Sequence, residues 1–271
     1  MKIQPINTNN TYTFQAKRKE IRKADDLVRK VNQEFPAFSP TYAREFWYRF
    51  KKIKEGYTDK RIINSENQLE RIRKKIAKEG NPTSLFEEIK EKKVGNCCEK
   101  TYLTTGALSA NGINQYTRRY DVGVNWTAID KRNGEKVFED MQNFDHNIII
   151  TTMTNEEPKK FNDLIVLDGW LNKAMSVSEA HAEYGSMLKE KDISKMKEKA
   201  IIRFVDQNKK DYGLLGKKLP PDFDINNYEF KHNIVFFPHP DPRYRIKKDD
   251  FEKLGEIVRE KYPNLVFEEN K

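Results

Sequence analysis

Two adjacent cysteines, Cys97 and Cys98, follow Gly95-Asn96 and precede Glu99, where a loop break gives way to an apolar helical pattern. A thiol at the first turn of a helix meets unpaired N–H groups and the positive end of the dipole, which lower its pKa from about 8.5 toward roughly 3.5–7.5. His146 stands 49 residues further on, heading the run Asn147-Ile148-Ile149-Ile150. Asp168 comes another 22 residues later, at the end of Leu164-Ile165-Val166-Leu167. Cys, His and Asp in this order suit attack by a thiolate, with an imidazole moving the proton and a carboxylate orienting the ring. The same helix end offers N–H groups to an oxyanion, and Asn96 adds a side-chain amide. Trp170, two residues past Asp168, is placed to shield such a site from water.

Each of these residues also has a plain structural explanation. Neighbouring cysteines pack as small buried groups, a single histidine is commonly an ordinary hydrogen-bonded residue, and Asp before Gly169 is a frequent turn start. His232-Asn233-Ile234-Val235-Phe236 repeats the local pattern of His146. His146 is preferred because Asp168 follows on a strand, whereas His232 is followed only by Asp241 in the Pro-rich stretch from Pro238 to Pro242.

The elements that must hold these groups begin with a helical layer. Ile21, Ala24, Leu27, Val28, Val31 and Phe35 recur at helical spacing, which predicts a helix over Lys17 to Phe35. Ser39-Pro40 opens a second helix carrying Phe46, Trp47, Phe50 and Ile53. Ser65 caps a third through Leu69, Ile72 and Ile76, stopped by Gly80-Asn81-Pro82, and Ser84 with Glu87 opens a short fourth ending near Val94. The Cys97 helix closes at Asn111-Gly112. Strands are then expected over Gln115 to Ala128, Glu135 to Met141, His146 to Thr152 and Leu164 to Leu167, with a hairpin turn at Asn133-Gly134. A helix from Ser176 or Ser178, with Glu179 completing a capping box, runs to about Lys189. Strands at Ile201 to Val205 and Ile234 to Phe237 and a last helix bearing Phe251, Leu254 and Val258 complete the chain. The fold class is α+β. The expected organisation is a disordered leader at 1–16, a basic helical layer at 17–94, a Cys-His-Asp core at 95–200 and a C-terminal α/β extension at 201–271.

The 271 residues carry a formal charge of +9, unevenly: residues 1–94 hold 23 Lys and Arg against 13 Asp and Glu, and the rest is nearly neutral. Basic and acidic residues interleave on the helix faces, the mark of a solvated surface more than of a nucleic-acid groove. Adjacent cysteines cannot form an unstrained disulfide, so the chain reads as thiol-reduced. No apolar run approaches the ~20 residues of a membrane span, and Met1 to Gln15 lacks the apolar region of a Sec-type signal peptide. The expectation is a cytoplasmic protein, or a secreted effector acting in a reducing compartment. With four His and two Cys, none paired at ligand spacing, a structural zinc site is not expected.

Gly95-Asn96-Cys97 with Glu99, Asp145-His146 and Asp168-x-Trp170 resembles the G-N-C-G-E, D-H, D-x-W pattern of bacterial papain-like and transglutaminase-like cysteine enzymes, many of them secreted effectors. The likeness spans roughly residues 94–172. It implies a cysteine-bearing helix packed on an antiparallel sheet that carries the His and Asp. It also implies glutamine deamidation, transglutamination or peptide hydrolysis on a protein or peptide substrate, without a cofactor. Cys98 departs from the pattern, standing where those enzymes have Gly, and puts a second side chain beside the nucleophile. The competing expectation is a non-enzymatic binding module whose basic N-terminal helices recognise nucleic acid or an acidic protein.

Overall fold

A computed structural model describes residues 18–40, 60–79, 82–154, 156–188, 190–212, 218–238 and 248–268. The leader, most of the helix expected after Ser39-Pro40, the Gly80-Asn81 stop and the His239 to Pro242 stretch lie outside the described residues. The chain is α+β and divides into two units across the boundaries expected at 94 and 200. One comprises Met1–Arg119, Ile148–Glu179 and Arg243–Lys271; the other comprises Tyr120–Asn147 and Ala180–Pro242.

In the first unit, helix α1 (Arg18–Glu34) buries Ala24, Leu27, Val28 and Val31, the face its periodicity predicts. Helix α2 (Lys60–Glu79) begins before Ser65, which is buried within it and is not its cap. Helix α3 (Pro82–Lys92) likewise starts ahead of Ser84, because Pro82 supplies the first helical position at no loss of a hydrogen bond. Lys93, at φ 54°, ends it. Helix α4 (Cys97–Ala110) starts and stops where expected, with Asn96 as N-cap and Gly112 at φ 71° just past its end.

Strands β1 (Arg118–Asp130) and β2 (Lys136–Thr151) run through both units, and β3 (Ile165–Asp168) and β4 (Lys173–Ser176) belong to the first. There the order is β4-β3-β2, antiparallel, with Ile149 opposite Leu167 and Thr151 opposite Ile165. Helix α5 (Val177–Met187) follows the predicted capping box: Glu179 N–H donates to Ser176 Oγ at 3.0 Å and Ser176 N–H to Glu179 Oε2 at 2.8 Å.

Helix α7 (Lys248–Lys261) packs along α4 in the same unit. Their approach is set by glycine. A Cβ on Gly255 would lie 2.6 Å from Ser109 Oγ, 2.9 Å from Ser109 C and 3.0 Å from Ala110 N. Two of these are backbone atoms, so neither helix can yield locally. Gly255→Ala is therefore expected to destabilise the protein by about 1 kcal/mol, overpacking of about 2 kcal/mol outweighing about 1 kcal/mol of helix propensity, read as a fall in thermal midpoint.

In the second unit the order is β2-β1-β5, where β5 (Tyr228–Pro238) pairs antiparallel with β1 from Tyr120 opposite Pro238 to Asp130 opposite Tyr228. Two expectations are corrected here. The segments Glu135 to Met141 and His146 to Thr152 are one strand, because the polar residues between them find partners: Gln142 Nε2 donates to Asp140 Oδ2 and to Met196 O, both at 2.8 Å. The expected strand at Ile201 to Val205 is part of helix α6 (Glu190–Tyr212). Ala200 and Phe204, four apart, are buried, while Ile202 is 53% exposed, so the apolar run belongs to a period of 3.6 and not of 2. Phe204 packs on Phe138 and Ala128, and Arg203 Nη1 donates to Asp140 Oδ1 at 2.5 Å.

Candidate active site

Cys97 is the first residue of α4, and that helix start is held in the first unit by several separate chain segments. Phe38 N–H donates to Lys93 O at 2.7 Å and Gly95 N–H to Phe38 O at 3.1 Å, a parallel bridge that brings Ser39 alongside Asn96. Ser39 Oγ donates to Asn96 Oδ1 at 2.9 Å and accepts from Trp170 Nε1 at 3.1 Å. The turn after Asp168 is thereby linked to the residue that caps the cysteine helix. A Cβ on Gly169 would lie 2.9 Å from Lys100 Cβ, so only glycine lets this turn sit so close to the first turns of α4. Asn32 Nδ2 donates to Gly169 O at 2.9 Å and to Asn172 Oδ1 at 2.8 Å, and Asn32 Oδ1 accepts from Lys100 Nζ at 2.8 Å.

Asp168 is fully buried. Its Oδ1 accepts the N–H groups of Trp170 at 2.9 Å and Leu171 at 3.0 Å, which fixes the turn. Its charge also acts on Lys100, whose ammonium is pulled below the ordinary lysine range by burial against the support of Asp168.

On the other side of the helix start, Arg73 of α2 grips Glu99 in a fork, Nε to Oε1 at 2.8 Å and Nη2 to Oε2 at 3.1 Å. Glu99 Oε2 in turn accepts Asn96 N–H at 3.0 Å. Arg119 Nη2 reaches Cys98 Sγ at 3.2 Å, its guanidinium 5.6 Å from the Tyr102 ring. Burial and the nearby Glu99 carboxylate push the Cys98 thiol up to about 12, against the charges of Arg119 and Arg73. Cys98 therefore stays protonated across the neutral range, and iodoacetamide at pH 7 is expected to modify Cys97 about 100-fold faster or more, read by peptide mapping with fragment ions. Preferential modification of Cys98 would reverse the roles of the two thiols.

His146 lies on β2 in the second unit, 4% exposed, with its ring edge-to-face on Tyr184 at 5.5 Å between centroids. His232 is exposed on β5, tilted over Trp126 at 4.7 Å, its imidazole held below the ordinary range by desolvation and the charge of Lys197. His181 packs on Phe236 at 4.5 Å and is likewise lowered by burial.

Cys97, Asn96, Cys98, Asp168 and Trp170 thus all belong to one unit, with Asn96 and Trp170 joined through Ser39. Nothing in the local sequence marks Ser39, Arg73, Lys100 and Arg119, because their partners lie 21 to 131 residues away. Among the described residues no three His, Cys, Asp or Glu side chains converge as a metal-ligand set, and no helix is long and apolar enough to cross a membrane. Comparison with protein-family models, curated proteins and solved structures finds no match.

Proposed function

We propose that the protein is a cysteine-dependent amide hydrolase or acyltransferase with a papain-like or transglutaminase-like core, acting on glutamine side chains or peptide bonds of proteins. The observation that carries this is the Trp170, Ser39, Asn96 hydrogen-bond chain, which ties the turn after a buried Asp168 to the helix start bearing Cys97.

In this mechanism the Cys97 thiol gives its proton to His146, and Sγ attacks the substrate carbonyl carbon as the C=O electron pair moves onto oxygen. N–H groups of the first turn of α4 stabilise that oxyanion. Collapse re-forms the carbonyl, breaks the C–N bond and expels ammonia or an amine, which takes the proton from the imidazolium. Water or an acceptor amine, deprotonated by the same imidazole, then resolves the thioester and restores the thiol. Asp168 supplies the negative charge that favours the imidazolium, and no step requires a metal or organic cofactor.

His146 is assigned as the base from chain order and burial, and alkylation tests it. His146→Ala is expected to slow modification of Cys97 at pH 6 about tenfold, since the thiolate loses its cationic partner, while His232→Ala leaves the rate unchanged. Equal effects from the two, or an effect of His232→Ala alone, would remove His146 from the mechanism; thermal midpoints measured alongside identify any folding defect.

A further inference from the structure

We propose that Arg73, which no sequence motif marks, is a positioning residue that sets the charge around the Cys97 thiol by neutralising Glu99; this rests on Cys97 being the nucleophile.

Glu99 presents an anion two residues after Cys97, within the first turn of its helix, and its side chain is 4% exposed. An acid at that position favours the helix through the dipole and the bond to Asn96 N–H, yet opposes a thiolate beside it. The two demands conflict unless the carboxylate is neutralised. The Arg73 fork does so with both carboxylate oxygens engaged. Its guanidinium is half exposed, so the pair contributes little as a surface clamp, but it interacts electrostatically with both Cys97 and Cys98. Among the described residues of this unit, the charged and titratable groups near the thiol pair are Arg73 on α2, Arg119 on β1, Cys98, Glu99 and Lys100 on α4, and Asp168 at the adjoining turn.

The test is the pH profile of Cys97 alkylation by iodoacetamide in the full chain. Arg73→Gln should raise the profile's midpoint by about one pH unit, roughly a tenfold slower rate below the midpoint. Glu99→Gln, which keeps an acceptor for Asn96 N–H, should lower it. The double variant should return to within a few tenths of a unit of the parent, because charge balance is restored although the ion pair is gone. Arg73→Lys should stay near the parent. A purely structural clamp predicts the opposite order, the double variant shifted at least as far as Arg73→Gln. That result, or an unchanged midpoint in both Arg73→Gln and Glu99→Gln, overturns the assignment. No acyl substrate enters the measurement, so failure to find turnover would count against the enzymatic mechanism and not against Arg73.

Discussion

Asp168→Asn is expected to lower turnover by about 10³-fold or more while moving the thermal midpoint by only a few degrees. The separation of the two effects follows from the division of labour within one side chain. Oδ1 holds the turn by accepting from Trp170 and Leu171, and an asparagine Oδ1 accepts equally well. The charge is what the substitution removes, and in a fully buried carboxylate that charge has little solvent screening. The loss should therefore fall on kcat and not on KM, measured as ammonia release from casein. Full activity in the variant would reduce Asp168 to a turn residue. Asp168→Ala differs: it also strands two N–H groups and should add about 2–4 kcal/mol of instability.

Glu99→Ala should lower stability by about 2 kcal/mol, or roughly 5 °C in thermal midpoint. It removes the acceptor of Asn96 N–H, breaks both bonds to Arg73 and leaves a cavity where a buried side chain stood. Arg73, half exposed, recovers hydration, which keeps the loss below that of a fully buried pair. A midpoint within 1 °C of the parent would mean that the start of α4 is held by Ser39 and Asn96 alone.

What the chain discloses in sequence is what short-range chemistry dictates. Gly95-Asn96 before Cys97 marks a helix start because only the local backbone decides it, and Asn111-Gly112 marks the end for the same reason. Strand partners are not legible in the same way: Ile149 pairs with Leu167, but His146 lies inside one long strand and does not head a new one. Ser65 and Ser84 mislead because a residue that caps well also occurs inside helices, where burial or an upstream proline decides. Ile201 to Val205 is β-branched and apolar enough to pass for a strand, but the charged residues flanking it on both sides continue a helix that buries Ala200 and Phe204. Arg73, Arg119 and Ser39 lie beyond such inference, because their partners come from separate elements.

The claim that Cys97 forms a thioester is tested most directly by acid-quenching the protein after brief exposure to an activated ester, p-nitrophenyl acetate, and mapping the adduct by mass. An acetyl group on Cys97, removed by hydroxylamine and absent from Cys97→Ser and at least tenfold slower to form in His146→Ala, is the expected result. Acetylation confined to Cys98 or to surface lysines, with Cys97 unmodified at every time point, would contradict it.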